Sequence, residues 1–136
     1  MDRVRLLFVC VENSCRSQMA EGFARRLGGE AVDVRSAGSE PSGKVSREAI
    51  QAMRERDIDI TDQRSNGLAD LPSVEWDWAV TMCCGDACSH LTARNRDDWQ
   101  VKDPYELPTE QFREVRDDIE RRVTALLREC GLSVDL

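Results

Sequence analysis

A single histidine, His90, and two lysines, Lys44 and Lys102, stand among 136 residues. One imidazole rules out metal sites built on several histidines, and nothing else in the chain suggests a Ser-His-Asp triad. No apolar run approaches the ~20 residues needed to cross a bilayer. The first ten residues look superficially like a signal peptide. Their apolar run is too short for one, and Glu12, Arg16 and Glu21 follow at once. They read instead as the buried first strand of a cytoplasmic protein. Repeats, low-complexity tracts and linkers are also missing, so one domain over residues 1–136 is expected. Excess positive charge is lacking too: the net charge is −7. That argues against a general nucleic-acid or membrane-surface binder, and it means any anion site must be built locally.

What the chain has is cysteine, six in all. In a reducing compartment that number points to redox chemistry or metal binding more than to a static disulfide framework. The hydrophobic pattern alternates between two periods. Residues 4–11 are nearly continuously apolar, as in a strand covered on both faces. Met19, Ala20, Phe23, Ala24 and Leu27 then share one helical face, and Gly28-Gly29 stops that helix. Residues 31–37 read as a strand ended by Gly38, and 46–56 as a helix with Ala49, Ile50 and Met53 inward. Residues 78–82 form a short apolar strand, and 99–101 offer another. Phe112, Val115, Ile119, Val123 and Leu126 mark a final helix, whose charged face from 113 to 128 reads as solvated. This alternation predicts an α/β fold, a three-layer sandwich with a four-stranded parallel sheet and helices on both faces. Ligands of such sheets sit beyond the carboxyl ends of the strands, and Cys10 lies at one of those ends.

The segment Cys10-Val-Glu-Asn-Ser-Cys-Arg16-Ser17 runs from that strand into a helix. Backbone N–H groups of Val11, Glu12, Asn13, Ser14, Cys15, Arg16 and Ser17 can curl around an anion, helped by the helix N-terminus. The planar fork of Arg16 suits two oxygens of a tetrahedral oxyanion. The same positive field favours a thiolate, which makes Cys10 a candidate nucleophile. Ser17 can donate to its sulfur, and Asn13 can fix the loop by bonding backbone groups. The plain alternative is that Cys10 is only a small buried strand residue.

With its continuation Ser-Gln-Met-Ala-Glu-Gly22, this segment resembles the signature of arsenate reductases of the low-molecular-weight protein tyrosine phosphatase fold. The likeness extends through Ser36-Ala-Gly38, Ala49 to Met53, Asp57 to Ile60, Val80-Thr-Met82 with cysteines after it, and Asp103-Pro104. It implies arsenate as substrate, with phosphate or sulfate as competing oxyanions. Reducing arsenate to arsenite takes two electrons, so a second thiol must attack the first adduct, and a third can carry the disulfide outward. By resemblance the resolving thiol is Cys83 or Cys84, and Cys88 ends the relay. Thioredoxin, glutaredoxin or a low-molecular-weight thiol then serves as reductant. Asp103 takes the place of the family's general acid, although Asp-Pro-Tyr105 also looks like the tyrosine phosphatase motif. Some relatives bind potassium through Asn13, Glu21, Ser36 and a later aspartate, whose position falls nearest to Asn66. A monomer is expected. Two rivals stand beside this reading. One is a tyrosine phosphatase with an idle second cluster. The other is a thiol sensor or zinc module using Cys83, Cys84, Cys88 and His90, although adjacent cysteines and a Cys-x-His end fit zinc poorly. Cys15, inside the loop, reads as a structural thiol buried under it, Cys130 as a packing or incidental thiol, and Trp76, Trp78 and Trp99 as packing residues.

Overall fold

A computed structural model describes residues 3–82 and 92–134. Among the described residues, four strands and three α-helices follow one another, alternating as expected up to the third strand: β1 (Val4–Cys10), α1 (Arg16–Gly28), β2 (Val32–Gly38), α2 (Arg47–Arg54), β3 (Trp76–Met82), β4 (Ala93–Asp98) and α3 (Thr109–Glu129). All strand pairings are parallel, in the order β2-β1-β3-β4. The chain leaves β1 on one side to make β2 and returns on the other to make β3. The order therefore reverses at the carboxyl end of β1, where such sheets open a crevice. Cys10 lies at that end, in register with Gly38 of β2 and Met82 of β3.

Residues Leu6 to Cys10 are all buried because both faces of β1 are covered. Leu6, Phe8 and Cys10 face the main core, shared with Met19 and Phe23 of α1, Met53 of α2 and Ile119 and Leu127 of α3. Leu7 and Val9 face the other way, with Trp76, under Leu68, Leu71 and Val74 from a short 3-10 turn and its flanks. Helix α1 ends at Gly28, and Gly29 adopts a φ of 55°, the left-handed region that glycine tolerates best. The side chain of Ser46 caps α2 by accepting from the N–H of Ala49. Ala49, Ala52 and Met53 form its buried face, and Ile50 is half-buried.

Two expectations need correction. Residues 99–101 are not a strand: the fourth strand is Ala93–Asp98, and Trp99 and Val101 are buried just past its end. The strand Ala-Arg-Asn-Arg-Asp-Asp is an edge that pairs, among the described residues, only with β3, and it is largely exposed, so it lacks apolar alternation. Its charges suit an edge. Trp99 carried the apolar signal because its ring packs on Phe8, 5.8 Å between centroids. The charged face of α3 is also not wholly solvated. Arg116 is buried, bonding to the Ala52 carbonyl at 2.9 Å and to Glu55 at 2.6 Å. Arg113 grips both oxygens of Glu55. The three tryptophans pack as expected, Trp76 and Trp99 buried and Trp78 partly so. No helix among the described residues is long and apolar enough to cross a membrane.

Candidate active site

Between Cys10 and α1 the chain makes a loop whose carbonyls are all bonded away from its centre. Val11 O accepts from the N–H of Glu40 (2.8 Å), Glu12 O from that of Ser42 (3.0 Å) and Ser14 O from that of Ser46 (2.9 Å). Asn13 O accepts from the Gln18 amide and Cys15 O from the N–H of Met19. In a planar trans peptide the N–H points opposite to the C=O. Carbonyls turned outward at 11–15 therefore turn the N–H groups of residues 12–16 inward, toward one another. Asn13 makes the bend with a φ of 50°, a conformation open to asparagine at little cost. No side chain caps the N-terminus of α1, and no acidic residue lies in its first turn. Its positive end is left to the loop.

The loop closes over a cavity of about 650 Å³ lined by Cys10, Val11, Glu12, Ser14, Cys15, Arg16, Ser46, Glu48, Asp103 and Tyr105. Cys10 is buried at its base, and its sulfur lies 2.8 Å from Ser17 Oγ. Arg16 is also buried. One of its nitrogens donates to the Val101 carbonyl at 3.1 Å, and another lies 4.0 Å from an oxygen of Asp103. Asp103 is exposed at the rim, where its other oxygen accepts from the N–H of Tyr105. Asn13 and Ser17 are fully buried behind the loop and do not line the cavity. They hold its shape: Asn13 Oδ1 accepts from the N–H of Asn66 and Asn13 Nδ2 donates to Ser17.

Asp103 thus joins Cys10 and Arg16 from far along the chain. Cys15, expected beneath the loop, is only half-buried and looks into the cavity. Cys83, Cys84, Cys88 and His90 lie outside the described residues. Ser46 and Glu48 carried no signal as site residues in the sequence, and Gly38 showed only as the end of a strand and as part of the family likeness. A Cβ on Gly38 would stand 2.5 Å from the Val11 carbonyl and 2.9 Å from the Asn13 nitrogen, so only glycine lets β2 run against the loop.

Of the potassium donors that the resemblance implies, Glu21 and Ser36 line one cavity together with Asn66. Glu21 is buried, which pushes its carboxyl above the usual range; the Ser36 hydroxyl and Arg25 oppose that shift. Ser36 donates to one carboxylate oxygen, and Arg25 sits 2.8 Å from the other. Asn13 is committed on both its side-chain atoms, and the Asn66 amide donates to the Arg64 carbonyl. The charge of Glu21 is met by a guanidinium, and no buried side-chain polar atom among the described residues lacks a partner. This set does not fit a potassium ion.

The low molecular weight phosphotyrosine protein phosphatase family matches residues 5–134. A glutaredoxin arsenate reductase from Synechocystis sp. is 40% identical over 130 residues, spanning 93% of this chain and 98% of that protein. An arsenate reductase from Oceanobacillus iheyensis is 42% identical over 133 residues, spanning 90% of this chain and 94% of its own. The solved structure of an arsenate reductase in the phosphate-binding state superposes with a TM-score of 0.83 at 37% identity, covering 93% of this chain and 98% of that one.

Proposed function

Since the chain belongs to the low molecular weight phosphotyrosine protein phosphatase family, as an arsenate reductase of it, we propose that Cys10 is its nucleophile and that a thiol relay completes the reduction. The observation that carries this reading is the convergence on one cavity of a sulfur, a guanidinium, a carboxylate and inward backbone N–H groups.

Arsenate enters the loop, where N–H groups and the Arg16 guanidinium take its oxygens. The Cys10 thiolate attacks arsenic, forming an S–As bond while one oxygen leaves as water. Asp103, at the rim beside Arg16, supplies a proton to that departing oxygen. A second thiolate, Cys83 or Cys84, then attacks the Cys10 sulfur. The S–As bond breaks, and its electron pair stays on arsenic, which leaves as arsenite. Two thiols have given two electrons and are joined as a disulfide. Cys88 next attacks that disulfide and releases Cys10. In support, β3 carries the chain level with Cys10 at Met82, one residue before Cys83 in the sequence. A glutaredoxin, thioredoxin or low-molecular-weight thiol in a reducing cytoplasm resets the relay. The Synechocystis relative favours the first of these.

The phosphatase reading keeps Cys10, Arg16 and Asp103, and water would finish its cycle. Replacing Cys83, Cys84 and Cys88 with serine separates the two. The triple variant is expected to lose multiple-turnover arsenate reduction, measured as arsenite formed per enzyme, while retaining any hydrolysis of an aryl phosphate. Sustained arsenite formation by that variant would end the relay proposal.

A further inference from the structure

Gln18 has no place in the reaction above, yet it is fully buried in the first turn of α1, directly behind the loop. Its amide nitrogen faces three oxygens: the Arg64 carbonyl at 2.8 Å, the Asn13 carbonyl at 3.0 Å and Asn13 Oδ1 at 3.1 Å. Its amide oxygen accepts from Gln63 Nε2 at 2.8 Å, and the same Gln63 nitrogen donates to the Gln18 carbonyl at 3.0 Å. Turned over, the amide would set an oxygen against three oxygens and an NH₂ against an NH₂. Only one orientation is therefore tenable.

That orientation propagates. Asn13 Oδ1 receives from Gln18 and from the N–H of Asn66, so the group that Asn13 turns toward Ser17 is its NH₂, at 2.7 Å. An amide NH₂ can only donate, so Ser17 Oγ accepts there. That leaves the one proton of Ser17 free for the Cys10 sulfur, 2.8 Å away, and once that sulfur is a thiolate it can only accept, so Ser17 is the donor. Donors and acceptors run in one direction, Gln63 to Gln18 to Asn13 to Ser17 to Cys10, and the chain ends on the atom that must carry negative charge. Bonds aligned this way polarise one another, and the last, to an ionised sulfur, gains most.

We infer that Gln18, backed by Gln63, is a positioning residue that fixes the direction of the hydrogen-bond chain ending on the Cys10 sulfur and so favours its thiolate. This rests on Cys10 being the nucleophile, so the test reads that thiol directly instead of arsenate turnover. The rate of Cys10 alkylation by iodoacetamide is measured by peptide mass spectrometry at pH 6.5 and pH 10, for the wild type, Gln18→Met, Gln18→Glu and Gln63→Met. At pH 6.5, Gln18→Met should react about three- to tenfold more slowly, the range of one lost hydrogen bond. Gln18→Glu should lose more, because a carboxylate accepts where the chain needs a donor. At pH 10, where thiols ionise without help, the rates should converge. Should both Gln18 variants fail to fold, Gln63→Met at the half-buried outer end still applies, with a drop of about two- to threefold expected. Wild-type rates for Gln18→Met and Gln63→Met at pH 6.5 would overturn the inference. A deficit that persists at pH 10 would overturn it too, since that signals lost access. An unreactive wild-type Cys10 would instead defeat the functional reading itself.

Discussion

At the scale of single residues, the loop treats its two thiols differently. Burial pushes Cys15 up to about 11; the Ser46 hydroxyl opposes the shift, and the charges of Cys10, Asp103 and Glu48 add to it. Cys15 therefore stays a neutral thiol at physiological pH although it looks into the cavity. Cys10 has the Ser17 hydroxyl at its sulfur. Iodoacetamide at pH 7 is expected to label Cys10 and spare Cys15, and phosphate should slow that labelling; tryptic mass spectrometry of the loop peptide checks both. Cys10, Arg16 and Ser17 were legible in the sequence because they lie within eight consecutive residues, where spacing alone fixes neighbours. Gln18 was not, since its meaning depends on Gln63 and Arg64, more than forty residues away.

Among elements, α3 was the easiest to read and β4 the hardest, for one physical reason. A helix that buries a stripe advertises it every three or four residues, as Phe112, Val115, Ile119 and Val123 do. An edge strand buries little and advertises nothing. The tie between α2 and α3 was also hidden, because charges at helical spacing on α3 look self-sufficient. Instead Arg113 and Arg116 reach Glu55 and hold its carboxyl down at about 2, against its ordinary 4.5. A carboxyl lowered by folding stabilises the fold fully above its unfolded value and loses that contribution as pH falls toward the folded one. Wild-type thermal stability should therefore fall between pH 4.5 and 2. Glu55→Gln should flatten that part of the curve, as thermal unfolding followed by circular dichroism across this range would reveal. High salt should shrink the difference, because the group is exposed to solvent.

For the molecule as a whole, a net charge of −7 surrounds a site built to hold anions. Attraction at long range is weak, so binding must come from the inward N–H groups and Arg16. Binding that occurs only in the folded state raises stability, by roughly 2.7 kcal/mol at a hundredfold excess over Kd. Phosphate should accordingly raise the unfolding midpoint of the wild type and leave that of Arg16→Ala nearly unmoved, as differential scanning calorimetry would test. The parallel sheet followed from the alternation of strands and helices. The closeness of β2 to the loop did not, because Gly38 meets Val11 only after the strands have paired. That contact makes the anion hollow a cast of the sheet beneath it. Position 38 gives the chemistry no functional group at all, yet it is among the least replaceable in the chain, because what it supplies is empty space.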